Sequence, residues 1–407
     1  MAQRLALVAP VRTPIGRFGG ALAPLGAADL GTAAAAACLA RAGLPPERVD
    51  EVIFGHARQA GGGPNAARQI AFRAGVPVDR PAQTINQACG SGLQAVLAAA
   101  RAIRLGEASL VLAGGTESMS STPYLLARAR WGERLGHGDV VDAMYRDGFS
   151  DPLSGLVMGE TAEELAAEAG IPREEADRYA ARSQQRCEEA RRRGRFTREI
   201  VPVRVPGRKG EVEIAADEHP RDGVTEAGLA SLPPVFRPGG TVTAGNASGI
   251  TDGAAAVIVA SERAAGELGL QPAGWLLDWE VVGVEPRLMG LGPVPASRRL
   301  LARQGLAPSD LDLVELNEAF ACQVLACLRE LPFDPERLNP DGGAIALGHP
   351  IGASGARILV TLLHGLAERG GRLGLATLCV SGGMGIAALV ESAESAESAE
   401  RAGEDAA

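Results

Sequence analysis

Short apolar runs alternate with alanine-rich helical patterns along most of the chain. Residues 5–9 (LALVA) read as a strand, and 29–43 as a helix that stops at Gly43. A strand over 49–57, a helix over 63–75 and a strand over 82–88 follow. A helix over 92–106 and a strand over 109–115 complete the run. That rhythm argues for a parallel α/β sheet. From about 119 to 249 the character changes to charged helices joined by Pro/Gly-rich connections. The arginine run 191–195 and the pairs Glu174/Arg178 and Glu188/Arg192 suit a solvated helix face with i,i+4 pairing. A phosphate contact is the sharper alternative for that run. A second α/β pattern starts near 250.

The two α/β regions share their punctuation. Cys89-Gly-Ser-Gly92 opens a helix that leads to the strand LVLAGG, and Gly348-His349-Pro-Ile-Gly-Ala-Ser-Gly355 opens one that leads to GLATLCVSGG. Any two βαβ units look somewhat alike, but the common Ser-Gly starts and Gly-Gly ends favour an internal duplication. The tail 393–407 repeats Glu-Ser-Ala, has no apolar face, and is expected to be disordered.

Composition narrows the chemistry. The 407 residues carry a net charge of −9, and Lys209 is the only lysine. An acidic chain has no general electrostatic reason to bind nucleic acid, and a Schiff base would have to form on Lys209. The six cysteines form no CxxC pair and no Cys/His ligand spacing, so no metal site is expected. No apolar run approaches the ~18 residues of a membrane span, and the N-terminus reads as a first strand. A cytoplasmic protein with reduced thiols is expected.

A lone cysteine is most often a small core hydrophobe. Cys89 is different, because it stands among glycines where a helix begins, and the positive helix end favours a thiolate. His349 lies in the duplicate of that loop, so a pseudo-twofold would set the two face to face. Cys379 ends a strand before Val-Ser-Gly-Gly, whose N–H groups are free to point into a cavity. Asn317 and Glu318 follow an apolar run. They suit a helix cap or a source of amide donors to an active site.

NQACGSG (86–92), NEAFA (317–321), GHPIGASG (348–355) and CVSGGMG (379–385), in that order, resemble the thiolase family. AGGTESMS (113–120), MGETAE (158–163) and TAGNASGITDGAAA (243–256) resemble it too, and the similarity covers about residues 4 to 390. The resemblance implies duplicated βαβαβαββ halves in a five-layered α-β-α-β-α core with an inserted loop domain. The first half would be 1–118 with 250–270, the loop domain 119–249, and the second half 271–392.

It implies acyl transfer between CoA thioesters, with CoA as a substrate and no cofactor. Cys89 would carry the acyl group, His349 would activate it, and Cys379 would move the proton alpha to a thioester. One oxyanion hole would come from His349 and a water held by Asn317. The other would come from the backbone N–H groups of Cys89 and Ser381. Ser248, Arg221, Met158 and Val157 would contact the substrate or its CoA. Ser381 stands where glycine is common, and Gln87 where a basic residue often precedes the nucleophile. Val157 replaces a histidine of many short-chain biosynthetic members, which points to a longer or more varied acyl chain or a degradative role in fatty acid metabolism. The segment 128–139 resembles the loop that joins two dimers, so a homotetramer is expected. A decarboxylating ketoacyl synthase on the same fold would need no second cysteine, and a non-catalytic acyl-CoA or lipid carrier would have lost a catalytic residue.

Overall fold

The structure is a computed structural model, and it describes residues 4–207 and 209–393. The tail expectation therefore falls, apart from Ala393, outside the described residues. Nine strands form the main path of one sheet: β1 (Leu5–Arg12), β2 (Glu51–Gly55), β3 (Ala82–Ile85), β4 (Leu110–Ser118), β5 (Thr251–Ser261), β6 (Pro272–Gly283), β7 (Leu313–Leu316), β8 (Leu373–Val380) and β9 (Met384–Ser392). The helices that matter below are α1 (Ala27–Ala42), α2 (Ala66–Arg73), α3 (Ser91–Arg104), α4 (Met158–Glu168), α5 (Arg173–Arg192), α6 (Pro293–Gln304), α7 (Ala321–Glu330), α8 (Ala344–Leu347) and α9 (Ile351–Arg369).

The strand order is β7-β8-β9-β6-β1-β5-β4-β2-β3. Read outward from the β1–β6 pair, β5-β4-β2 on one side matches β9-β8-β7 on the other. Even the β2–β3 pairing has an echo, a parallel bridge from Val314 to Leu338. The sheet is mixed and not parallel throughout. Pairing is parallel for β2 with β3, β2 with β4 and β7 with β8. It is antiparallel for β1 with β5, β4 with β5, β1 with β6, β6 with β9 and β8 with β9. Helical crossovers return the chain in parallel. By contrast β5 arrives from the inserted segment, and β9 returns through a tight hairpin.

Strands buried on both faces explain the nearly unbroken apolar runs. In β1, Ala6 and Val8 join an outer cluster with Leu30, Ala34 and Leu39 of α1. Leu5 and Leu7 point the other way, into a cluster with Leu93, Val96 and Leu97 of α3 and Leu359 and Leu362 of α9. Ala376, Leu378, Ile386 and Ala388 of the second half close that same inner cluster from the far side. Leu300 and Leu301 of α6 and Val324 of α7 cover the outer face of the second half. The layers thus run α1/α2, sheet, α3/α9, sheet, α6/α7.

In the middle layer glycine lets backbones touch. A β-carbon on Gly355 would lie 2.5 Å from the Leu93 nitrogen, and one on Gly92 2.8 Å from the Ala356 nitrogen. One on Gly115 of β4 would lie 2.3 Å from the Gly352 carbonyl oxygen. The glycine-rich composition is therefore spent, in part, on bringing α3, α9 and β4 together at one end.

The inserted segment carries α4 and α5. Arg192 pairs with Glu188, but Glu174 and Arg178 form no ion pair among the described residues. The arginine run is not simply a solvated face. Arg195 is buried and bonds Asp341 at 2.9 Å and Glu199 at 3.2 Å. Arg193 also pairs with Asp341. Glu199 in turn accepts from the buried Arg12 at 2.6 Å, so the run ties the insert to β1.

Gly355→Val is expected to lower the melting temperature by several degrees, since overpacked cores lose about 1–3 kcal/mol. Gly266→Ala, where a β-carbon meets nothing within 4 Å, is the control and should match or exceed the wild type. Equal melting of Gly355→Val and wild type would remove the close-packing argument.

Candidate active site

Cys89 sits between the end of β3 and the start of α3. Ala88 takes the turn with φ at +43°, a left-handed conformation that a β-carbon disfavours. Ser91 fixes it: its hydroxyl donates to the Ala88 carbonyl at 2.7 Å and accepts from the Gln87 N–H at 2.8 Å. Gly90 N–H closes the turn on the Gln87 carbonyl at 2.9 Å. Gln87 Nε2 reaches only the Met384 sulfur, at 3.7 Å.

His349 precedes Pro350, the residue just before α9. Its N–H donates to the Gly249 carbonyl at 3.1 Å. Gly348, with φ at +102°, lies so close to Thr251 that a β-carbon would approach its Cγ2 to 2.4 Å. The ring's Nδ1 is 2.5 Å from the Ser354 hydroxyl, which is 2.9 Å from the Pro350 carbonyl. A carbonyl only accepts, so when the one hydroxyl proton of Ser354 goes to Pro350, Ser354 accepts from Nδ1–H and Nε2 of the neutral ring keeps a free lone pair. Nε2 is buried and has no partner.

Cys379 ends β8 opposite Gly385 of β9. The hairpin between them places its left-handed conformations at Gly382 and Gly383, with φ of +85° and +82°. Ser381 has no positive φ, so serine is accommodated there without backbone strain. Its N–H faces the Cys89 sulfur, as does that of Cys89 itself.

Asn317 is buried, its N–H bonded to the Thr377 carbonyl at 3.0 Å. Both polar atoms of its side-chain amide lack a partner. The helix-cap reading of Asn317 and Glu318 does not hold. The residue before α7 is Phe320, with no side-chain cap, because the chain runs extended there and Ala247 bridges Phe320. Glu318 is an anchor instead. It accepts from Tyr179 Oη (2.8 Å), Ser183 Oγ (2.7 Å), Asn339 Nδ2 (3.1 Å) and the N–H of Ile345 (3.1 Å). It therefore clamps α5 to the start of α8, and so to the loop of His349.

Cys89, His349, Cys379 and Ser381 line one cavity of about 280 Å³, with Val157, Met158 and Ser248 on its walls. Arg221 does not line it. It is exposed, two residues from His219, against whose ring a β-carbon on Gly249 of the wall would clash. Met119, Phe149, Phe236, Met289 and Phe320 also line the cavity, and so does Arg58. Met119 and Phe320 fall within motifs quoted above, whereas Phe149, Phe236 and Met289 are ordinary apolar residues in the sequence and Arg58 is one arginine among 39.

The thiolate expected at Cys89 is opposed by burial. Desolvation is the largest influence on Cys89 and raises its pKa, against lowering by Arg58 and by the N–H groups of Ser381 and Cys89. Desolvation raises Cys379 well above an ordinary thiol, and Cys89 adds to the rise. Burial also lowers His349 to about 3, helped by Arg357 and Arg58. The helix end and its N–H groups are present, but removing the charge from water costs more than they return. The resting site is a set of neutral groups: two thiols and an imidazole with a free Nε2.

The thiolase N-terminal domain model matches residues 5–263, and the thiolase C-terminal domain model matches residues 270–392. The chain belongs to the thiolase family. It is 50% identical to the acetyl-CoA acetyltransferase of Syntrophomonas wolfei, across 96% of this chain and 100% of that protein. It is 51% identical to that of Chromobacterium violaceum, across 95% and 99%. The crystal structure of the Bacillus anthracis acetyl-CoA acetyltransferase superposes with a TM-score of 0.94 at 45% identity, across 96% of this chain and 99% of that one. Human mitochondrial 3-ketoacyl-CoA thiolase superposes with a TM-score of 0.93 at 44% identity, with the same coverage.

Carbamidomethylation of Cys89 should be slow near pH 7 and climb beyond pH 9, since a raised pKa delays the thiolate. A plateau below pH 8 would contradict the burial argument. Ser354→Ala removes the acceptor that fixes Nδ1–H, and kcat should fall roughly 10- to 100-fold with little change in KM.

Proposed function

We propose that the protein exchanges acyl groups between CoA thioesters, cleaving a 3-ketoacyl-CoA with CoA or joining two acyl-CoAs by Claisen condensation. The observation that carries this is the convergence of Cys89, His349 and Cys379 on one cavity. Two thiols are what the two half-reactions need. One must attack a carbonyl and later leave, and the other must move a proton at carbon.

Cys89 takes the acyl group as a thioester, passing its proton to Nε2 of His349. Because both groups rest neutral, the proton moves as the sulfur attacks. The oxyanion so formed is met by the N–H groups of Cys89 and Ser381, whose direction toward the sulfur supports that role. Cys379 removes or returns the proton alpha to the second thioester, and His349 with a water held by Asn317 stabilises the enolate. The partnerless Asn317 amide supports this. The CoA chain runs past Val157, Met158 and Ser248 toward Arg221. A decarboxylating synthase has no use for Cys379 beside Cys89.

The proposal extends to assembly and place. Trp131 and Leu135, in the segment 128–139, are 84% and 97% exposed, and large apolar side chains so uncovered support a contact between dimers in a homotetramer. All six cysteines are free, which supports a reducing, cytoplasmic setting.

Cys89→Ala should give no labelled acyl-enzyme with acetyl-CoA. Cys379→Ala should still acylate, yet lose condensation and cleavage by about 100- to 10,000-fold. Acylation of Cys89→Ala at wild-type level would reassign the nucleophile. Light scattering should give four chains per particle, and a stable monomer at micromolar concentration would sink the assembly proposal.

A further inference from the structure

Arg58 is a charge set in an apolar wall. It is 7% exposed and lines the cavity beside Met119, Phe149 and Ile351. Its backbone is fixed, since its N–H donates to the two Glu117 carboxylate oxygens at 3.1 and 3.3 Å. Its guanidinium is not fixed in the same way. Nη1 donates to the Asp147 carbonyl at 3.3 Å, and the group lies 5.7 Å from the centre of the Phe149 ring. Nε is buried without a partner. Among the described residues no carboxylate forms an ion pair with it.

Arg12 and Arg195, which tie the inserted segment to β1, are built differently. Arg12 meets Glu199 and Asp217, both at 2.6 Å, and Arg195 meets Asp341 at 2.9 Å. A guanidinium keeps its charge, and burying it without a counter-charge is strongly unfavourable. The unmatched charge of Arg58 lies close enough to Cys89 to draw its pKa down. Arg58 and Cys89 line the same cavity, so the guanidinium borders the space that an acyl chain on that sulfur would fill. A carboxylate at the end of such a chain would supply the missing partner and match the planar fork of donors.

We propose that Arg58 selects 3-ketoacyl-CoA substrates whose acyl chain ends in a carboxylate, an inference that rests on the activity proposed above. In cleavage the Cys89 sulfur bonds C3 and the C2–C3 bond breaks. The electron pair of that bond takes a proton at C2, and acetyl-CoA leaves. The chain from C3 outward, with its terminal carboxylate, stays on Cys89. The thiol of a second CoA then takes it as a carboxy-terminated acyl-CoA, returning Cys89 to a thiol. No oxidant or reductant is involved.

The test compares the CoA thioesters of 3-oxohexanedioic and 3-oxohexanoic acid, which differ only at the chain end. With the wild type, kcat/KM should favour the diacid at least tenfold, and Arg58→Met should cut that preference by 10- to 100-fold, mainly through KM for the diacid. A wild-type ratio at or below one overturns the proposal without any variant, so a misfolded variant cannot shield it. A ratio unmoved by Arg58→Met in a folded sample overturns it too. Equal losses on both substrates, with the pH profile shifted upward, would overturn it and make Arg58 a positioning residue for the Cys89 thiolate. No turnover of these or of acetoacetyl-CoA would overturn the proposed activity itself.

Discussion

The site depends on two helices touching backbone to backbone. α3 and α9 meet at their first turns, where Gly92, Gly352 and Gly355 leave no side chain between them and Gly115 of β4 fits beneath. Cys89 and His349 sit just ahead of those turns, so the contact sets how far apart they stand. Any β-carbon there would separate the two loops as well as the helices. The sheet palindrome about β1 and β6 makes this possible, because a duplicated unit presents equivalent helix starts to the same interior point.

Burial follows from that geometry and sets the chemistry. In a cavity enclosed by two packed halves charge is costly, and at Cys89 that cost outweighs the lowering by Arg58 and the backbone N–H groups. The thiols and the imidazole consequently rest uncharged. On the proposed activity, charge would appear only during reaction, with the N–H groups of Cys89 and Ser381 already beside the sulfur.

Much of this was legible in the sequence, and the exceptions share a cause. The strands and helices of both halves follow from apolar runs that are buried on both faces, and the Ser-Gly and Gly-Gly pairs revealed the duplication. Cys89, His349 and Cys379 were readable because glycine marks places where backbone must come close. Strand direction was misread, since a run such as 251–261 looks the same whichever way it is threaded. Asn317 and Glu318 suited either a cap or a source of amide donors, and only the tertiary structure separates an amide left open from a carboxylate with four donors. The arginine run looked solvated because its partners, Asp341 and Glu199, lie far away or beyond a turn. Thiol acidity was misjudged because desolvation depends on what covers a residue, which local sequence does not record. Arg58 gave no signal, since its meaning lies in a missing neighbour.

The hydrogen-bond chain behind His349 has a further consequence. It runs from Nδ1 to Ser354 and ends at the Pro350 carbonyl, which has no proton to pass and nowhere to send one. It is a closed end and not a wire to bulk water. A proton on Nε2 has no relay through Ser354 and can leave only into the cavity. On the activity proposed above, the histidine is a lender there, and the hydrogen it takes from one sulfur is the hydrogen it gives on within the same cavity.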